Sequence, residues 1–283
     1  MTQEAGVTAG SQMAQEASGL RLAVLLGNTT CRMALMDGID VQRRLVLSHT
    51  ELLVSGAVER VRELCRGVVI EVAGLCSVVP DLEASVDVLI EASGIVPPRR
   101  VVPAESAFFP SSYRSMGTLG ADRYCGVLAA KERYGVPLIV VDCGTATTIN
   151  VVDRDGVFLG GAIAPGVMTM LRAMHEHTAQ LPPLFSGGMK KEFSDNEVPQ
   201  EEYLPLIGED TSSSMRSGSA YFSRYAVEGM VAAMKNHIGD ETPLVLTGGN
   251  ALILLGAGLC CESQVFDEDL LLRGIIFYLL FTR

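Results

Sequence analysis

"RLAVLLGNTTCRMALMDG", residues 21–38, sets a short apolar run before Gly-Asn-Thr-Thr, then a second apolar run that ends at a Gly turn. Runs of this length bounded by turn residues predict two strands, at about 22–27 and 31–36, folded into a hairpin whose tight turn carries hydroxyls. "PLIVVDCGTATTINVVDRDG", residues 137–156, repeats the scheme with Gly144 in the place of Gly27. A third Gly-rich turn, Thr247-Gly248-Gly249, interrupts the strand-like "PLVLTGGNALIL" at 243–254. Free backbone N–H groups and Thr hydroxyls in such turns suit phosphate oxygens. One "GNTT" is a tight turn and nothing more. Three such turns in one chain point to a nucleotide. The copies differ in one respect. Asp142 ends the first strand of the second hairpin, where a carboxylate serves the metal that accompanies a phosphate, and the first hairpin has Leu25 there.

Working outward, apolar periodicity predicts a strand at 42–47, a helix at 50–66, a strand at 71–77 and a helix opening after Pro80. A further helix starts near Asp122 and closes at Gly135. After the second hairpin come a Gly-Pro turn into a helix, a long helix near 209–237 and a last helix from about Asp269. A hairpin-led run of strands alternating with helices, occurring twice, implies two similar α/β domains. Their expected extents are 21–132 and 133–283, after a mobile tail at 1–20. The charged "FSGGMKKEFSDNEVPQEEY", 185–203, reads as a surface insertion.

With 283 residues, 48% of them hydrophobic, the chain has ample material for folded cores. A net charge of −11 without a basic cluster argues against nucleic-acid binding. Seven scattered cysteines with no C-x-x-C predict reduced thiols in a cytoplasmic protein, without a zinc site. His175 and His177, two apart on a helix, face different sides and cannot chelate together. "GIIFYLLF" is too short to span a membrane, and no basic residue precedes Arg21 as a signal peptide requires. Neither a P-loop nor a Rossmann glycine motif is present.

Taken in order, "GNTT" (27–30), "SVVP" (77–80), "LGADR" (119–123), "DCGTATT" (142–148), "GGAIAPG" (160–166), "TAQLP" (178–182), "DTSSSMRSG" (210–218) and "TGGNA" (247–251) resemble the type III pantothenate kinases and the Bvg accessory factor-like proteins grouped with them. The resemblance implies an α/β, actin-like (ASKHA) fold of two ribonuclease-H-like domains. It further implies a homodimer with active sites near the subunit interface, and ATP-dependent phosphorylation of pantothenate, the first step toward coenzyme A. Mg²⁺ and a monovalent cation, K⁺ or NH₄⁺, would assist.

By the same resemblance Asp122 is the general base, and Arg123 binds the pantothenate carboxylate through its bidentate fork. Gly120, Tyr113 and Thr211 would border the substrate, although the proline expected three residues after Tyr113 is Met116. ATP would meet Gly27, Asn28, Thr29, Gly144, Thr145, Gly248 and Gly249, and Asp142 would hold the monovalent cation. Structural readings stand beside these: Asp122 as a helix cap, Thr211 as an ordinary helix start.

The family's first hairpin reads Asp-x-Gly-Asn-Thr, with the acid serving the Mg²⁺–phosphate assembly, so Leu25 removes an anionic ligand. A loss of about 3–5 kcal/mol there slows the reaction roughly 10²–10⁴-fold. Three readings are open: a pantothenate kinase with an altered metal site, an inactive ligand-binding or regulatory accessory protein, and a kinase acting on another small hydroxylated acid.

Overall fold

The computed structural model describes residues 19–103, 108–184, 204–239 and 241–282. The expected tail, up to residue 18, and the expected insertion at 185–203 lie outside them. The chain divides into two compact units. The first holds the chain up to Val136 together with Asp155–Leu159 and the stretch from Asp269. The second holds Pro137–Arg154 and Gly160–Glu268.

In the first unit, strands β1 (Leu20–Leu26), β2 (Thr30–Asp37) and β3 (Asp40–Ser48) form an antiparallel meander. Two short helices, α1 (His49–Leu52) and α2 (Gly56–Leu64), precede β4 (Val72–Ser77), and α3 (Pro80–Ala92) leads to the two-residue β5 (Arg99–Arg100). The sheet order is β3-β2-β1-β4-β5, with β4 parallel to β1 and β5 parallel to β4. Strand β1 is buried on both faces, which is why it reads as a nearly unbroken apolar run. Leu22, Val24 and Leu26 join Met33, Leu35, Val61, Leu75 and Ile90 in one core. Ala23, in register with Ala34 and Gly74, makes a floor of small residues on the other face.

Helix α4 (Ala121–Tyr134) closes at Gly135, whose φ of 78° only glycine adopts without strain. Helix α8 (Leu270–Phe281) lies on the small-residue floor: a Cβ on Gly74 would stand 2.6 Å from Ile275 and 3.0 Å from Leu279. The same helix touches α4 backbone to backbone, because a Cβ on Gly274 would come within 2.8 Å of Cys125 Cα.

In the second unit β6 (Leu138–Cys143) and β7 (Ala146–Val152) form the second hairpin. Strand β8 (Phe158–Pro165), α5 (Val167–Glu176), the long α6 (Thr211–Ile238), β9 (Leu244–Thr247), α7 (Ala251–Gly256) and β10 (Gln264–Phe266) complete the chain order up to α8. The sheet runs β10-β9-β6-β7-β8, with β9 parallel to β6 and β10 parallel to β9. Each sheet thus has its own third, second, first, fourth and fifth strands side by side. This shared order is the α/β, actin-like arrangement of two ribonuclease-H-like domains.

Several expectations are corrected. The helix expected at 50–66 is two, because Leu53 and Val54 donate back to Thr50 and Glu51 in tight turns and Gly56 opens a new helix. The Gly-Pro turn expected before α5 is the end of a strand. Its glycines are needed because β8 presses on β7, where a Cβ on Gly161 would collide with the Ile149 carbonyl. Helix α8, which the expected extent of 133–283 put in the second domain, groups with the first unit through its packing on α4.

Candidate active site

In the first unit the β1–β2 turn is closed by Gly27 N–H donating to the Thr30 carbonyl at 3.0 Å, leaving Asn28 and Thr29 exposed. Leu25, behind the turn, is 4% exposed and in register with Arg32 and Cys76. It packs as part of the apolar strand and offers no ligand atom. A Mg²⁺ held by a carboxylate at this position, as the resemblance would imply, does not fit these residues.

Asp122 and Arg123 open α4. Gly120 is the N-cap, so Asp122 lies inside the first turn rather than capping it. Its Oδ1 accepts from the Arg123 N–H at 2.7 Å and folds back over Gly120, where a Cβ would collide with it. Glycine there makes the room that the carboxylate occupies. Burial raises the Asp122 pKa above the ordinary carboxylate value, against the lowering pull of the Arg123 N–H and charge. Arg123 is buried, its guanidinium 5.7 Å from the Tyr113 ring centroid and 6.0 Å from that of Phe158. The two rings are 5.6 Å apart. A cation held by ring faces keeps one orientation, which suits a bidentate partner. Met116 is buried, filling core space one turn ahead of α4. Asp122, Arg123, Tyr113 and Gly120 therefore form one group.

In the second unit Asp142 stands in register with Thr148 on β7 and Thr247 on β9, a row of oxygen-bearing side chains across three strands. Thr247 Oγ1 is buried and meets no hydrogen-bond partner among the described residues. An unmet oxygen beside a carboxylate fits a monovalent cation. Gly248, with φ of 96°, is required in this row, since a Cβ would collide with Asp142 Oδ1 and stand 2.6 Å from Cys143 backbone atoms. The Gly144–Thr145 turn is clamped by residues the sequence reading did not single out. Asn250 Nδ2 donates to Gly144 O at 2.8 Å, while Gly166 N–H and Thr169 Oγ1 donate to Thr145 O at 3.0 and 2.6 Å. "TGGNA" and "GGAIAPG" contain Asn250 and Gly166, but their targets lie about a hundred and about twenty residues away. The clamps leave Thr145 exposed, and Gly249 is exposed beside its buried neighbour Gly248.

Thr211 is the first residue of α6, behind a capping box of Asp210 and Ser213. It also lines a pocket of about 470 Å³ with Met174, Leu181, Asp210, Ser214 and Met215. Among the described residues no group of three or more His, Cys, Asp or Glu gathers for a metal, and no helix is long and apolar enough to cross a membrane. Burial pushes the Cys31 thiol up to about 12 and raises that of Cys143, so neither is a nucleophile.

The family profile described as type III pantothenate kinase matches residues 21–233. The chain is 35% identical over 207 residues to the type III pantothenate kinase of Thermomicrobium roseum, covering 72% of this chain and 74% of that one. It is 32% identical over 266 residues to the enzyme of that name from an Anaeromyxobacter species, covering 90% and 96%. Among solved structures, a conserved Baf family protein from Campylobacter jejuni superposes with a TM-score of 0.51 at 17% identity, over 89% of this chain and 94% of that one, a likeness of fold alone. Motifs, duplicated sheet order and relatives agree: the chain belongs to the type III pantothenate kinase family.

Proposed function

We propose that this kinase transfers the γ-phosphoryl group of ATP to the primary hydroxyl of pantothenate, the first step toward coenzyme A. One observation carries the reading: Asp122, raised in pKa by burial, beside an Arg123 anchored on two aromatic faces. Asp122 takes the hydroxyl proton as the oxygen attacks the γ-phosphorus. The bond from that phosphorus to the bridging oxygen breaks, and ADP leaves. Arg123 pairs with the pantothenate carboxylate, with Tyr113, Gly120 and Thr211 bordering the substrate.

Gly27, Asn28 and Thr29 of one turn, Gly144 and Thr145 of the second and Gly248 and Gly249 of the third are the ATP contacts. Asp142 with Thr247 would hold K⁺ or NH₄⁺, which would supply positive charge to the reaction. Leu25 offers no carboxylate to Mg²⁺, so the chain would depend on the ATP phosphates of its substrate to bring that ion. The inactive accessory reading is not favoured, since the Thermomicrobium roseum and Anaeromyxobacter relatives, alike over most of their length, both carry the kinase name.

The protein works in the cytoplasm as a homodimer. Support for the dimer comes from one face of α6, where Gly218, Phe222, Tyr225 and Gly229 follow at helical spacing. Phe222 is 75% and Tyr225 52% exposed, and a Cβ on either glycine would meet nothing within 4 Å. Aromatic side chains between small residues suit close packing of a second copy's helix.

The test is Asp122→Asn. Phosphopantothenate formation should fall to background while ATP binding, read by calorimetry, stays within about twofold. Unchanged turnover would remove Asp122 from the role of base.

A further inference from the structure

Gly27 is held from two sides. Its N–H closes the turn onto Thr30, and its carbonyl faces His49 Nε2 at 2.9 Å. A carbonyl only accepts, so Nε2 carries the proton. His49 opens α1, and α1 is fixed by a reciprocal cap: Ser48 N–H donates to Glu51 Oε2 at 2.7 Å, and Glu51 N–H donates to Ser48 Oγ at 3.2 Å. Arg60 Nη1 donates to the same carboxylate at 2.9 Å. The Ser48 hydrogen bonds, then Arg60, hold the Glu51 carboxyl down to about 2, so the cap stays closed at neutral pH.

The geometry of the peptide bond gives this contact its consequence. In a trans peptide the C=O and the following N–H point in opposite directions. Drawing the Gly27 carbonyl toward α1 therefore turns the Asn28 N–H away from it. Asn28 is exposed, and its N–H meets no partner among the described residues. A turn of small residues without this anchor would sample other orientations of that peptide.

We propose that His49 is a positioning residue of the nucleotide turn. Its Nε2–H fixes the Gly27–Asn28 peptide so that the Asn28 N–H is presented, already oriented, to a phosphate oxygen of ATP. The inference rests on the reading of Gly27–Thr29 as ATP contacts. It assigns to α1, an element outside the family motifs in the sequence, the task of aiming one of them.

The experiment compares binding of ATP and of adenosine, which has no phosphate, to the full-length native chain, His49→Phe, His49→Gln and His49→Asn. The glutamine amide reaches the place of Nε2; the asparagine amide stops one carbon short. His49→Phe and His49→Asn should weaken ATP binding about five- to tenfold, the worth of one hydrogen bond, with adenosine affinity unchanged. His49→Gln should restore ATP binding to within about twofold. KM for ATP should rise by the same factor while KM for pantothenate stays. Equal ATP affinity in the Gln and Asn variants, or a parallel loss of adenosine binding, would overturn the proposal. If the native chain binds adenosine but gains nothing from the phosphates, the ATP-turn reading itself fails, and His49 with it.

Discussion

Asp122 is subject to opposed pressures that can be separated by pH. Burial disfavours its charged form, so the native state keeps its proton above the ordinary carboxylate pKa. Between that value and the raised one the folded chain binds more protons than the unfolded chain, and stability falls as pH rises through the window. The base proposed here at Asp122 therefore costs stability at a pH where it is charged. Asp122→Asn, besides losing turnover, should therefore raise Tm at about pH 7 and leave it nearly unchanged at about pH 3, where the carboxyl is already protonated in both states. An equal shift at both pH values would point to packing instead of charge. The pair Asp122-Arg123 was legible in the sequence because "LGADR" is contiguous. Its support was not, since Phe158, which helps hold Arg123, arrives from another part of the chain. Leu25 was legible as a missing acid, whereas its burial among apolar neighbours needed the register of β1.

Elements are decided by contacts that local pattern does not contain. The two hairpins and α4 announced themselves through apolar runs, turn glycines and Gly135. Strand β8 was hidden because close approach to β7 demands glycines, the residues that read as a turn. The break after α1 was hidden because Leu53 and Val54, both exposed, continue an apolar pattern with no core behind it. Helix α8 was visible as a helix, but its place on α4 depends on Gly274 meeting Cys125 across the fold. Gly274→Ala would normally favour a helix. Here the added methyl meets backbone that cannot rotate aside, so the variant should lose about 1–3 kcal/mol in urea unfolding. A gain in stability would show that α8 and α4 stand further apart than described.

At the scale of the whole molecule, one strand order used twice accounts for the repeated turns: each unit sets a hydroxyl-rich hairpin turn at the same place in its sheet. Duplication was readable from the two quoted stretches, because a hairpin that opens an α/β run is a long-range pattern as well as a local one. The surface proposed to meet a second copy was not, since Phe222 and Tyr225 look like core residues until their exposure is known. Phe222→Glu should convert the dimer to monomers in light scattering while the fold persists, and an unchanged mass would place the interface elsewhere. The central claim is that the chain phosphorylates pantothenate without the acid of the first hairpin. The measurement that tests it most directly is ATP- and Mg²⁺-dependent formation of phosphopantothenate by the purified native chain beside Leu25→Asp. The account predicts turnover by the native chain and a higher rate, with tighter Mg²⁺ dependence, from the variant; no product from either chain, under conditions where ATP binds, would contradict it.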